Sequence, residues 1–314
     1  MRNYQATMAA LMLATGWVAS AQADAEQLTR TFEVADGGQL EVKLDFGEIE
    51  VQPGKPGQVV FTARVRGADA DKFEFDFRQD GSDIRVRGEL TDRKARKRSS
   101  SISVSVRVEV PAHFDLDLDT SGGSIDVGDI DGEVVADTAG GSIVIGRVTG
   151  PVRADTAGGA IEVLASKHDV DADTAGGSID LGEIFGRVKA DTAGGAIRVE
   201  RAHGHARLST AGGGIRVDQA YAAVDADTVG GGVKVNFLGQ PDDRSNLSTT
   251  GGSITVGVAD GVGFDLRAKS GVRVKSDFAL PVDKDSPGRL DGAVNGGGPR
   301  LSVSSSGRIR IQKL

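Results

Sequence analysis

The chain has no cysteine, and its three methionines and single tryptophan all fall at or before position 17 of the 314-residue sequence. The absence of cysteine excludes disulfide bonds, thiol chemistry and cysteine-ligated metal sites. After Met12 the chain has no cysteine or methionine side chain that an oxidant could modify, which suits an oxidising compartment. Aromatic residues are only 4% of the chain, and the stretch 115–236 contains only Phe185 and Tyr221. Any core in that stretch therefore has to be built from small and branched aliphatic side chains.

The segment 1–23 has the features of a secretory signal peptide. Arg2 is followed by an apolar stretch and then by the small-x-small sequence 21–23, which predicts cleavage between Ala23 and Asp24. The apolar stretch is short for a membrane span, although an uncleaved membrane anchor is the alternative. The sequence therefore predicts an extracytoplasmic protein, periplasmic or secreted to the cell surface, without a transmembrane segment in the mature chain.

The overall charge is acidic. The formal net charge is −8, and it becomes −9 when Arg2 is removed with the signal peptide. An acidic surface repels the phosphate backbone, which argues against nucleic acid as a partner.

The dominant feature is a repeat marked by the motif T-x-G-G. The threonines of the motif recur with a constant 18-residue period, at Thr120, Thr138, Thr156, Thr174, Thr192, Thr210 and Thr228. The next match begins at Thr249, where the spacing has lengthened. Fixed self-similarity with a period of about 20 residues is typical of a solenoid.

Each repeat contains two segments in which apolar and polar residues alternate, V-x-A-D-T and I-x-V. Alternation with period two predicts β-strands. The Gly-Gly pair between them predicts a tight corner, where glycine supplies backbone angles that a side chain forbids. A third apolar position, such as Val148, Ile184 or Leu238, follows the second strand. A propeller blade needs about 40 residues, so the repeat fits one coil of a parallel β-helix instead.

Stacking such coils predicts columns of equivalent residues. The threonines are expected to face inward and hydrogen-bond between coils, next to an outward column that contains Asp137, Asp155, Asp173 and Asp191. Like charges about 4.8 Å apart repel. Either each aspartate accepts backbone N–H bonds at the Gly-Gly corner, which we favour, or a row of cations neutralises the column. Another outward column changes from acidic at Asp126 to basic at Lys234, and a solvated face is its favoured interpretation.

The regions on either side of the regular repeats predict caps, because an open β-helix exposes strand edges at both ends. We expect an N-terminal β cap at 24–115, regular coils at 116–238, and irregular coils with a C-terminal cap at 239–314. The cap at 24–115 contains FEFDF, with three phenylalanines on one face of a strand, which predicts core. It also contains a basic loop with Arg93, Lys94, Arg96, Lys97 and Arg98. This loop is either a mobile hairpin tip or a contact for anionic lipid, lipopolysaccharide or an acidic partner.

Motifs for catalysis, cofactors or metals are missing from the sequence. There is no G-x-S-x-G nucleophile motif, and the recurring Gly-Gly pair precedes strands rather than a phosphate-binding helix. His203 and His205 could lie on one side of a coil but have no evident third ligand. The sequence therefore predicts no catalytic, cofactor-binding or metal-binding residues, and a protein that is not an enzyme.

Two features of the chain carry a resemblance to a known family. They are FEVADGGQLEVKLDFGEIEV at 32–51 and the recurring T-x-G-G-x-I-x-V followed by G-x-I/V-x-G. In these the chain resembles the bacterial putative-adhesin β-strand-repeat family, a domain of unknown function, over nearly all of the mature chain. The resemblance implies an all-β fold, a single-stranded right-handed parallel β-helix, here with 18-residue coils and β caps. It implies no catalytic residues.

These observations lead to one functional hypothesis and one alternative. The first is a non-enzymatic envelope scaffold or adhesin that binds a cell-envelope protein or glycan. Its candidate interaction surface consists of the aspartate column at 137, 155, 173 and 191 and the basic loop at 93–98. The alternative is a β-helix that binds or cleaves polysaccharide, which would need a groove with clustered charges.

Overall fold

A computed structural model describes residues 25–67, 69–91, 102–280 and 287–314. The predicted signal peptide and the basic loop at 93–98 lie outside the described residues. The regular secondary structure of the described residues consists of β-strands and one 3₁₀ turn, Ala70–Lys72. No helix in these ranges has the length and hydrophobicity that a membrane span requires.

The strands are numbered in chain order. They are β1 (Ala25–Glu33), β2 (Gln39–Leu44), β3 (Glu48–Pro53), β4 (Gln58–Arg66), β5 (Phe73–Asp80), β6 (Asp83–Leu90), β7 (Ser103–Val110), β8 (Asp115–Thr120), β9 (Ile125–Val127), β10 (Val134–Thr138), β11 (Ile143–Val148), β12 (Val152–Thr156), β13 (Ile161–Ser166), β14 (Val170–Thr174), β15 (Ile179–Ile184), β16 (Val188–Thr192), β17 (Ile197–Ala202), β18 (Ala206–Thr210), β19 (Ile215–Ala220), β20 (Val224–Thr228), β21 (Val233–Phe237), β22 (Ser245–Thr249), β23 (Ile254–Val258), β24 (Phe264–Ser270), β25 (Val274–Ser276), β26 (Arg289–Val294), β27 (Arg300–Ser305) and β28 (Ile309–Lys313).

The strands form two sheets of 14 strands each. Sheet A has the order β1-β4-β7-β3-β9-β11-β13-β15-β17-β19-β21-β23-β28-β25. Sheet B has the order β26-β24-β27-β22-β20-β18-β16-β14-β12-β10-β8-β2-β6-β5. The chain therefore crosses from one sheet to the other at each corner and returns, which is the path of a solenoid.

Strand pairing in the middle of both sheets follows the repeat. Val134 in β10 pairs with Val152 in β12, which pairs with Val170 in β14, always in parallel. In sheet A, Ile143 pairs with Ile161 in the same way. The 18-residue interval read from the sequence is therefore the offset between paired residues, so identical residues lie directly beside one another.

The core lies between the two sheets. In β12 the inward residues Val152, Ala154 and Thr156 are buried and the residues between them are not. Small side chains dominate because the sheets pack closely over the whole length of the stack. Leu238, the third apolar position of its repeat, is 36% exposed, and the neighbouring Phe237 is buried. The pairing of β19 with β21 shifts register just before this point, which turns the neighbouring residue inward.

The Gly-Gly corners require glycine for a different reason from the one that the sequence suggested. None of the T-x-G-G glycines is among the described residues with positive φ. A Cβ on the second glycine, Gly141, would lie 2.0 Å from the carbonyl oxygen of Gly123 in the preceding repeat. A Cβ on the first, Gly140, would lie 3.8 Å from its nearest neighbour. The second glycine is required because successive corners stack backbone against backbone, not because of its dihedral angles.

The N-terminal end of the stack is closed by antiparallel strands and aromatic side chains. β5 pairs antiparallel with β6, and β4 pairs antiparallel with both β7 and β1. Six phenylalanines pack together there with ring centroids 5.0 to 6.2 Å apart, Phe32, Phe46, Phe61, Phe73, Phe75 and Phe77. Of the three phenylalanines in β5, Phe73 is buried in the core, and Phe75 and Phe77 are partly buried and pack against it.

The C-terminal end departs from chain order. The last strands, β27 and β28, insert between the regular stack and the earlier strands β24 and β25. β26 then covers β24 in the antiparallel direction. The segments expected to be irregular coils thus do join the sheets, but in an order that their sequence does not show.

Candidate interaction surface

The aspartate column lies on the outer face of sheet B, in register from strand to strand. We call the five consecutive members of this column the Asp ladder; they are Asp119, Asp137, Asp155, Asp173 and Asp191. Ser209 and Asp227 continue the column on β18 and β20. The ladder borders an open groove of about 590 Å³, which the threonines and corner residues of four successive repeats also line.

The threonine column fixes the geometry of this groove. The Thr156 hydroxyl donates to the carbonyl oxygen of Gly141 in the preceding repeat at 2.8 Å. The hydroxyl oxygen of Thr156 also accepts the backbone N–H of Gly159 at 3.3 Å. Equivalent donor bonds recur at Thr138, Thr174, Thr192, Thr210 and Thr228. The inward threonines therefore link successive repeats, as expected.

This arrangement overturns our favoured account of how the aspartates are compensated. The corner N–H groups donate to threonine hydroxyls, and none of the hydrogen bonds among the described residues joins them to the ladder. The compensation comes instead from the neighbouring outward column. Arg153 pairs with Asp155 at 2.9 Å. Threonine rather than aspartate accepts the corner N–H groups, because the threonine side chain points inward beneath the turn.

Lys189 is the second cation that forms ion pairs with the ladder. Its Nζ lies 2.9 Å from Asp171, 3.4 Å from Asp173 and 3.6 Å from Asp191. The hydrogen bond to Asp171 is the main cause that raises the pKa of Lys189. One ammonium group therefore lies close to three carboxylates, two on β14 and one on its own strand β16.

Two members of the ladder remain electrostatically unfavourable. Burial, followed by the charge of Asp155, raises the pKa of Asp137. Burial, followed by the charge of Asp173, raises the pKa of Asp191. At these two positions the ionised carboxylate is thus less stable in the folded chain than in water, and a cationic group placed beside it would relieve the penalty.

The histidines do not converge on a metal site. His203 Nε2 lies 3.1 Å from a carboxylate oxygen of Glu183, whereas His205 Nε2 lies 3.1 Å from Asp225. Within the described part of the chain, no group of three His, Asp or Glu side chains is placed to hold a metal ion.

Sequence reasoning missed an aromatic stack on the surface. Phe185, His203 and Tyr221 stack in parallel on successive repeats, with centroids 4.4 and 4.8 Å apart. Phe185 is 52% exposed. The hydrogen bond from His203 is the main cause that lowers the pKa of Glu183. The signal was present in the spacing, since the three residues lie one repeat period apart.

The comparisons with known proteins begin with the solved structures. A protein called a putative cell adhesion protein, from Clostridium sporogenes ATCC 15579, is 10% identical over 92% of this chain and 100% of that one, with a TM-score of 0.24. A putative lipid binding protein from Parabacteroides distasonis ATCC 8503 is 12% identical over 91% and 96%, with a TM-score of 0.39. A putative adhesin from Parabacteroides merdae ATCC 43184 is 10% identical over 92% and 96%, with a TM-score of 0.40.

No curated protein has a sequence that matches this chain. A family match does exist, to the family described as Toastrack DUF4097, and it spans residues 38–296. That span is most of the chain and includes all the regular repeats together with most of both ends. The chain therefore belongs to the Toastrack DUF4097 family.

Proposed function

We propose that this protein is a non-enzymatic scaffold of the cell envelope, secreted or periplasmic, that binds an envelope protein through the Asp ladder. In this proposal the repeats are 18-residue coils of a right-handed parallel β-helix. The regions 24–115 and 239–314 cap the regular coils at 116–238. The partner presents basic side chains, because the surface that it meets is a row of carboxylates.

The observation that carries this proposal is the in-register row of carboxylates along an open groove. Its geometry is held by the threonine bonds, so the carboxylates are positioned at a fixed spacing of about 4.8 Å before any partner arrives. Preorganisation of this kind lowers the entropic cost of binding. The raised pKa of Asp137 and of Asp191 supports the proposal, because ionised groups held in an unfavourable environment are typical of functional surfaces.

The shape of the regular repeats supports binding rather than catalysis. Throughout residues 116–238, all of which the structure describes, four residues join each sheet B strand to the next sheet A strand. No inserted loop projects from these corners to build a cleft. A glycosidase places two carboxylates on either side of the bond that it cleaves, whereas the carboxylates of the ladder lie in one row on one face of sheet B.

Protease treatment of cells that carry a C-terminally tagged copy tests the location. Loss of the tag from intact cells assigns the protein to the cell surface. Loss only after osmotic opening assigns it to the periplasm. A tag that survives in opened cells and is lost only with a cytoplasmic marker contradicts the proposal.

Co-sedimentation of the purified mature chain with washed envelope fragments tests the surface. We expect Asp173→Arg to abolish co-sedimentation, because it places a cation in the middle of the ladder. Asp242→Arg makes the same charge change at an exposed turn and should bind as the wild type does. Protease treatment of the envelopes should also abolish binding. Binding that survives protease and is lost after glycan digestion would assign a glycan partner instead.

A further inference from the structure

The outer face of sheet A carries a column of charges that changes sign at its centre. Ten neighbouring strands, from β3 to β28, contribute in order Glu50, Asp126, Val144, Glu162, Asp180, Arg198, Arg216, Lys234, Thr255 and Arg310. Beyond these ten strands the column continues in register with Arg107 on β7 and Lys275 on β25. The first five strands therefore contribute four carboxylates and no cation, and the last five contribute four cations and no carboxylate.

Most of these charges are not neutralised within the chain. Among the described residues, only three members of the column form ion pairs. Glu50 pairs with Arg107, and Arg198 and Arg216 share Asp218. Asp180 and Arg198 are direct neighbours across two strands, yet the guanidinium turns away to Asp218 at 3.1 Å. The centre of the column thus holds exposed carboxylates and exposed cations side by side without mutual contact.

The column next to it is made of small residues. The carbonyl oxygen of each member accepts the backbone N–H of the residue that follows its neighbour on the preceding strand, and the members are Ser124, Ser142, Ala160, Ser178, Ala196, Gly214, Gly232 and Ser253. At its two ends stand Glu48 on β3 and Arg308 beside β28. A strip without bulky side chains allows another surface to approach the charges closely.

The geometry points to a second copy of this chain as the occupant of the face. In the inferred dimer the two copies are related by a two-fold axis that runs parallel to the strands and passes between β15 and β17. This rotation reverses the strand order of the second copy relative to the first. Each column then faces itself in reverse order. Such an interface is isologous, so every contact occurs twice.

Over the ten strands from β3 to β28 the reversed column is complementary to itself, whereas the pair beyond them, Arg107 facing Lys275, brings two cations together at the rim. Asp180 faces Arg198 of the second copy, Glu162 faces Arg216, and Glu50 faces Arg310. Val144, which is 39% exposed, faces the aliphatic part of Lys234. In the adjacent column Glu48 faces Arg308, and small residues face small residues.

The size of the face is sufficient for a stable dimer. Ten strands spaced about 4.8 Å apart and about 16 Å of strand length give about 800 Å² per copy, the standard size of a specific interface. The inferred dimer uses sheet A and leaves the Asp ladder of sheet B free, so it is independent of the proposed envelope binding.

Charge-reversed variants of the purified mature chain test this inference by mass. We expect the wild type to sediment as a dimer at low salt and to dissociate in about 1 M salt, where the Debye length is about 3 Å. Glu162→Arg with Asp180→Arg makes the four central positions of the column all basic, and Arg198→Glu with Arg216→Glu makes the same four positions all acidic. Each double variant alone should be monomeric, and an equimolar mixture should form a heterodimer. Two misfolded variants could not restore the dimer, so the mixture separates repulsion from unfolding.

A matched control reverses two charges on the other sheet. Asp119→Arg with Asp227→Arg changes exposed residues of sheet B and should leave the dimer intact. A wild-type monomer at every salt concentration, or a mixture that stays monomeric, overturns the inference. So does a monomeric wild type that binds vesicles of anionic lipid through the basic half, which would assign that half to a membrane.

Discussion

Between β8 and β19 every strand lies beside its counterpart one repeat later, whereas at the ends of the stack the neighbours differ in sequence and often in direction. The middle needs no aromatic side chain inside, because small residues in register fill a narrow space repeatedly. The ends cannot fill the core with small residues in register, since a terminal strand has no following copy to cover it. The N-terminal end therefore buries phenylalanines such as Phe61 and closes with antiparallel strands. A periodic sequence is thus enough for the middle, and a specific one is needed at the ends.

The largest effect should come from breaking the backbone contact that only the middle has. Gly141→Ala places a Cβ 2.0 Å from the carbonyl oxygen of Gly123, which belongs to the backbone and cannot move aside. We expect a loss of at least about 4 kcal/mol in the free energy of unfolding, or failure to fold, measured by urea denaturation. Gly140→Ala makes the same change in the same corner with 3.8 Å of clearance and should cost less than about 1 kcal/mol. Equal effects of the two variants would contradict the stacking account.

The next effect addresses the N-terminal end. Phe61→Ala should cost about 3 kcal/mol, because its fully buried ring contacts the rings of Phe75 and Phe77. The same substitution at Phe185, which is 52% exposed in the middle of the stack, should cost less than about 1 kcal/mol. Thermal unfolding of both variants followed by circular dichroism measures the difference. A larger loss at Phe185 would show that the middle also depends on aromatic packing.

A smaller effect should follow from cutting one link between repeats. Thr174→Val keeps the shape of the side chain but removes the bond to the carbonyl oxygen of Gly159 and leaves the N–H of Gly177 without its acceptor. We expect a loss of about 1–3 kcal/mol by urea denaturation. Thr174→Ser retains the hydroxyl and should recover most of the loss. If serine is as destabilising as valine, the hydroxyl is not the link.

The smallest effect is a gain in stability from the ladder. The pKa of Asp137 is raised in the folded chain, so its ionised form destabilises the fold at neutral pH. Asp137→Asn should therefore raise stability by a few tenths of a kcal/mol, discounted for solvent screening. The gain should fade as the pH falls through the folded pKa, because the wild type then takes up the proton and loses the penalty. Asp155→Asn should gain less, since it also removes the ion pair with Arg153. Differential scanning calorimetry between about pH 3 and pH 7 measures both variants.

The repeat allowed much of the middle to be predicted. Identical residues one period apart predicted strand pairing such as Val152 with Val170, and alternation predicted which side chains are buried. The Asp ladder was found for the same reason. Alternation also predicted that threonine faces inward and aspartate outward. It did not show which of the two accepts the N–H groups of the corner, because both carry oxygen atoms next to the turn.

The sequence alone determined the period, the alternation and the composition of the core, because these depend on neighbours along the chain and on copies of them. Tertiary structure decided everything that depends on which segments meet at the ends. It placed β28 between β23 and β25, and it required the second glycine of each corner through a contact with the previous corner. It also aligned Glu50 and Arg310 at opposite ends of one column, although most of the chain separates them in sequence. Such contacts are non-local, and a local pattern of residues carries no record of them.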